Sequence, residues 1–180
     1  MKAKKVIDII LNSIVIILFL GAGIFTLVMK ATNDEFDGII LGTILIVAGV
    51  AKIISYFLRK GFKHPTNITL VTGIVMIVLA VIFFLDKFDL VSLCLAWGIM
   101  EIIIGLTELQ VDLFAARKDK WAIGEIVIDL GGITFGVLLT IHLEEGLHAH
   151  LIFMGISFIL YAALYAIELV RELKEKEKEE

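Results

Sequence analysis

Apolar residues do not alternate with polar ones along this chain. They come in long runs broken by short polar gaps. Six runs, residues 6–29, 38–58, 67–85, 89–109, 121–141 and 149–170, approach the ~20 residues that an α-helix needs to cross ~30 Å of hydrocarbon at ~1.5 Å per residue. The pattern predicts an all-α, polytopic membrane protein: one six-helix transmembrane domain over residues 1–180, its spans joined by short connections. The last stretch, 171–180, reads "RELKEKEKEE". It predicts a charged helical tail continuing the sixth span, with Glu172 four residues before Lys176 on one helix face. The basic start "MKAKK" precedes an apolar run, as in a secretion signal. That run is longer than a signal core, holds Asp8 and Asn12, and is followed by five more spans, so it reads as a retained first helix.

Composition strengthens the membrane reading. The chain of 180 residues is 59% hydrophobic with a mean hydropathy of +1.00, against roughly 45–50% apolar residues in soluble domains. A chain this short has too little interior to hide such an excess from water. The single cysteine, Cys94, excludes an intramolecular disulfide and a cysteine metal cluster, and the single proline, Pro65, falls in a polar gap.

The net charge of −4 hides a segregation of sign. Of the 16 basic residues, all but Lys30, Lys52 and Lys87 lie in the first residues, the second and fourth gaps, and the tail. The alternate gaps hold Asp34, Glu35, Asp37, Asp86, Glu144 and Glu145. The positive-inside rule then places both termini in the cytoplasm and the protein in the inner or plasma membrane. The implied partners are the lipid bilayer and, on the cytoplasmic side, anionic lipid headgroups facing the basic gaps; a homo-oligomer stays open. Nucleic acid is not an expected partner, because the basic residues are scattered along membrane edges. The "NIT" at Asn67–Thr69 matches a glycosylation acceptor, but it stands at the cytoplasmic end of the third span.

The second span, "LGTILIVAGVAK", and the fourth, "WGIMEIIIGLTE", align with a constant offset: Gly42, Gly49 and Lys52 fall on Gly98, Gly105 and Glu108. In the sixth span, "MGISFILYA" repeats the seven-residue step at Gly155 and Ala162. Small residues seven apart share a helix face and let backbones approach closely; Gly38–Gly42 and Gly132–Gly136 add two more small pairs. The chain therefore reads as three helical hairpin repeats. The stretches "LGTILIVAGVAKIISYF", "LVTGIVMIVLAVIFFL", "WGIMEIIIGL", "AARKDKW" and "GGITFGVLL" together resemble the HdeD family of short-repeat bacterial membrane proteins, over about residues 38–140. The resemblance implies a stress-linked membrane protein with an acid-resistance role. It carries no catalytic residues across.

Lys52 interrupts an apolar run about 9 Å of helix rise from the cytoplasmic end of its span. Glu101 and Asp129 lie about 12 Å from the same side on the fourth and fifth spans, and Asn12 about 9 Å into the first. These four residues predict a polar layer in the cytoplasmic half. An unpaired charge at such depth costs about 2.5–3.5 kcal/mol or more, so the groups should turn inward and meet. Lys52 with Glu101 or Asp129 is the natural pair. Two roles are open to such a layer: structural glue that fixes helix register, or a cytoplasm-facing vestibule that exchanges protons or binds a cation.

Enzymatic chemistry is not expected. The sequence has no HExxH, no phosphate-cradling glycine loop, no CxxC and no serine–histidine pattern, so no catalytic, cofactor or metal residue is assigned. On the outer side, "IHLEEGLHAHL" gathers His142, His148 and His150 around Glu144 and Glu145. Such a loop can be an idle solvated connector. Its imidazoles could also sense mild acid or bind zinc.

Overall fold

The computed structural model describes residues 2–32, 38–59, 67–84, 90–116, 121–141 and 147–177. Every apolar run is a helix: α1 (Lys2–Thr32), α2 (Gly38–Arg59), α3 (Asn67–Phe84), α4 (Leu90–Ala115), α5 (Trp121–Thr140) and α6 (Leu147–Glu177). No strand occurs among the described residues. Three helices run well past their predicted bounds. α1 extends at both ends, to Lys2 and Thr32. α4 continues six residues past 109, because Val111, Leu113, Phe114 and Ala115 resume the apolar run beyond the polar step at 108–110. α6 starts at Leu147 and runs through the charged tail to Glu177.

Five helices are long and apolar enough to cross a membrane: Val6–Met29, Ile39–Leu58, Cys94–Phe114, Ala122–Thr140 and Ala149–Arg171. The expected sixth span is shorter, an apolar helix over Thr69–Phe84, about 24 Å at ~1.5 Å per residue. Hydropathy is inverted relative to a soluble core. Ile17, Val127 and Phe114 are more than 60% exposed, while Lys52, Glu101, Glu125 and Asp129 are buried. Such a wide apolar exterior has no place in water. It suits a multi-pass membrane protein.

The helices are arranged in chain order around a closed circuit. Each touches the next, α6 returns to α1, and α4 reaches across to α6. Packing is most extensive between α1 and α6, α2 and α3, and α4 and α5. The closest helix pairs are thus shifted by one helix from the α1–α2, α3–α4, α5–α6 hairpins that the sequence predicts. Glycine decides which pairs close up. A Cβ on Gly49 would lie 2.7 Å from the Gly73 carbonyl oxygen, one on Gly98 2.7 Å from that of Gly136, and one on Gly23 2.7 Å from that of Gly155. Only a missing side chain allows backbones this near, and the approach gains dispersion and Cα–H···O contacts, the terms that hold helices together in lipid.

Aromatic residues fill the centre. Phe19 of α1 meets Phe158, Tyr161 and Tyr165 of α6, each at 5.7 Å between ring centroids, and Trp97 of α4 lies 4.4 Å from Phe158. Tilted and edge contacts of this kind add about 0.5–1.5 kcal/mol each beyond area burial. They fix the mutual depth of α1, α4 and α6, and with it the depth of the polar residues one or two turns away.

Candidate functional site

The polar residues gather at one end of the bundle, where α1, α3 and α5 begin and α2, α4 and α6 end. On α1, Asn12 donates through Nδ2 to the Asp8 carbonyl oxygen at 3.0 Å and to Asp8 Oδ1 at 3.3 Å. The Ser55 hydroxyl of α2 donates to the same Asp8 oxygen. Asp8, Asn12 and Ser55 are all buried, and their mutual bonds explain how an amide and a carboxylate are tolerated there.

Lys52 is 4% exposed. Its ammonium lies 3.8 Å from Glu168 Oε2 and 3.3 Å from the centroid of the Tyr165 ring, both on α6. The sequence predicts Lys52 paired with Glu101 or Asp129; the structure gives it an ion pair with Glu168, which the sequence reading does not pair with it. The reason is depth. Because α4 ends at Ala115 rather than 109, Glu101 lies about 21 Å from the helix end instead of about 12 Å. It is too deep for a side chain that starts only seven residues from the end of α2. Glu108 takes its place near Lys52, within electrostatic reach of that ammonium, of Glu168 and of Asp129.

Four further acidic residues define this end. Asp112 on α4 and Asp129 on α5 adjoin each other, Glu168 on α6 lies close to both, and Glu125 on α5 accepts from Arg171. One Arg171 Nη1 lies 3.0 Å from Glu125 Oε2 and 3.3 Å from Oε1, so this pair closes the α5–α6 seam at the edge of the cluster. A narrow cleft with room for about one water molecule is lined by Glu108, Asp129 and Tyr161 and by apolar Ile128, Leu160 and Leu164, with Gly105 and Gly132 at its wall. Asp129 Oδ2 is buried there and has no hydrogen-bond partner among the described residues. Among the described residues, Lys52 pairs with Glu168 and Arg171 with Glu125 across this end.

Glu101 stands apart. It is completely buried and neither carboxylate oxygen has a hydrogen-bond partner among the described residues. Trp97 and Ser157 lie beside it, but their hydrogens are directed elsewhere. Trp97 Nε1 donates to Ser157 Oγ at 3.0 Å, and Ser157 Oγ donates to the Met154 carbonyl oxygen at 2.9 Å.

Of the predicted polar layer, Asn12, Lys52 and Asp129 stand at one end of the bundle and Glu101 deeper. Tyr165, Glu168 and Arg171 complete the set and were not singled out as partners from sequence. A signal for one of them was present: Tyr165 follows Ala162 by three residues, as Lys52 follows Gly49 and Glu108 follows Gly105. The outer histidine loop fares differently. His142, Glu144 and Glu145 lie outside the described residues, and of His148 only the helical backbone is described. His150 is not in a solvated loop, because α6 starts early enough to carry it inside the bundle, where it is buried. Among the described residues, no three His, Cys, Asp or Glu side chains converge as metal ligands.

Residues 14–85, from within α1 to the end of α3, match the family described as a short repeat of unknown function (DUF308), which contains HdeD-like membrane proteins. The match overlaps the resemblance read from sequence over residues 38–85. No curated protein and no solved structure matches the chain.

Proposed function

We propose that the chain is a non-enzymatic, HdeD-like protein of the inner or plasma membrane, with both termini cytoplasmic, that acts in envelope or acid stress. The observation that carries this reading is the gathering of most buried ionisable groups of α1, α2, α4, α5 and α6 toward one end of an otherwise apolar bundle, with Glu101 deeper and His150 at the other end. The basic gaps lie at that same end, the end that the positive-inside rule assigns to the cytoplasm. Anionic headgroups on that side are the natural neighbours of the basic gaps.

The repeat belongs to this reading. A Cβ on Gly42 would meet the Ala80 carbonyl oxygen at 3.2 Å, and one on Gly98 meets that of Gly136. Likewise Gly49 faces Ile77 Cγ1 and Gly105 faces Ile133 Cγ1, each at 2.8 Å. Adding 56 to each residue of the first contact gives the second. These coincidences support α2–α3 and α4–α5 as two copies of one packing unit.

A second reading is favoured by the clustering of carboxylates: a proton- or cation-linked role for the charged end. Glu108, Asp112, Asp129 and Glu168 lie within electrostatic reach of one another, an arrangement that suits proton or cation exchange. Growth of a deletion strain under acid, metal and osmotic stress tests the proposal. Sensitivity to acid that the wild-type gene restores is the expected result. Unimpaired growth under all three stresses contradicts it.

A further inference from the structure

The acidic residues of α4–α5 are not shared by α2–α3. By the 56-residue offset, Glu101, Glu108, Asp112, Glu125 and Asp129 of α4–α5 stand where α2–α3 carries Leu45, Lys52, Tyr56, Thr69 and Gly73. The two pairs pack through corresponding glycine and isoleucine contacts, though a Cβ on Gly105 would lie 3.5 Å from the Asp129 carbonyl oxygen, looser than the 2.7 Å from Gly49 to that of Gly73. Glu125 is accounted for by its pair with Arg171. Glu101, with no hydrogen-bond partner among the described residues, is not accounted for by any such contact.

Glu101, Glu108 and Asp112 lie on one face of α4 at steps of seven and four residues, with Gly105 between the first two. Asp129 of α5 faces Glu108 across the cleft, where Gly105 and Gly132 leave room, and Glu101 lies about one helical turn beyond Gly105. Tyr161 of α6 lines the cleft and lies within electrostatic reach of Glu108 and Asp129 as well as of Glu101. Half-buried Asp112 is placed at the outer end of the strip and fully buried Glu101 at its inner end. Past Glu101 the described side chains are mainly apolar: Trp97, Cys94, Leu139 and Met154 are buried, with Ser157 hydrogen-bonded to Trp97 and buried His150 near the start of α6. Gly136 packs on the Glu101 Cβ and contributes no charge from α5. The titratable neighbour of Glu101 from α6 is Tyr161; none from α1, α2 or α3 is placed against it among the described residues.

Resting on the proton-linked reading above, we propose that Glu101 is a reversible proton-binding site at the closed end of a passage formed by Asp112, Asp129, Glu108 and Tyr161. A proton from water at the charged end adds to a Glu101 carboxylate oxygen, converting carboxylate to carboxylic acid, and leaves by the same route. A proton is the one ligand that requires no coordination shell. It is the ligand that fits a carboxyl whose two oxygens have been given no donor. The closed far side makes this a loading site and not a conduit.

Infrared difference spectroscopy of the full chain in lipid vesicles, stepped from neutral to acid pH, tests the proposal. The wild type should gain a protonated-carboxyl band component that Glu101→Gln lacks. Glu101→Leu, which installs the residue of the equivalent position 45, should lack it too while keeping helicity by circular dichroism. Asp129→Asn should leave the component in place and slow its appearance. Identical spectra for wild type and both Glu101 variants overturn the site. A pH dye inside the vesicles should report no sustained proton entry under an imposed gradient. Steady entry that vanishes in Glu101→Gln overturns the closed end. A deletion strain without any stress phenotype would remove the proposed function and leave the spectroscopic result standing, so the two failures are distinguishable.

Discussion

The ammonium of Lys52 stands 3.3 Å from the centroid of the Tyr165 ring, closer than its 3.8 Å approach to Glu168. A desolvated cation over an aromatic face is worth about 2 kcal/mol. Glu168 is 39% exposed on its side chain, and exposed pairs contribute about 1 kcal/mol or less. The ring is therefore the stronger partner of the two.

It follows that a double-mutant cycle of Lys52→Met with Tyr165→Leu should show a coupling of about 2 kcal/mol in detergent-solubilised unfolding. The cycle of Lys52→Met with Glu168→Gln should show about 1 kcal/mol or less. The reverse ranking would mean that the ion pair, not the ring, holds α2 against α6.

Glycine substitutions should separate sharply. Gly98→Ala drives a Cβ to within 2.7 Å of the Gly136 carbonyl oxygen, and backbone cannot step aside as a side-chain tip can. A loss of about 1–3 kcal/mol is expected. Gly21→Ala and Gly132→Ala meet nothing within 4 Å and should be neutral or slightly stabilising through helix propensity. Melting temperatures of the three purified variants check this.

The helices were legible in the sequence because long apolar runs in a chain this short leave the bilayer as the only solvent. Their packing was less so. Gly98 and Gly105 were visible as small residues seven apart, but nothing local says that they meet α5 and not α3. Lys52 was recognised as a buried charge, yet its partner was missed because the end of α4 was placed where hydropathy fell, at 109. The helix continues through Asp112 to Ala115 as apolar residues resume at Val111, which lowers Glu101 out of the layer and brings Glu108 into it. His150, read with the outer histidine segment although it already fell within the predicted span 149–170, is buried in the bundle.

Orientation can be read by labelling. In a Cys94→Ser background, single cysteines at Lys63 and Lys118 should resist an impermeant thiol reagent added to intact cells, while cysteines at Glu35 and Glu145 should react. Reaction at position 118 from outside would overturn the cytoplasmic placement of the charged end.

The most direct measurement is survival of a deletion strain in mild acid when it carries Glu101→Gln together with Asp129→Asn. Both changes keep side-chain size while removing the charge that α2–α3 never had at the matching positions Leu45 and Gly73. The expected result is a variant that inserts at the wild-type level, supports growth near neutrality and gives no protection in acid. Full protection by the doubly neutral variant would contradict the assignment of the carboxylate-lined end as the working part of the protein.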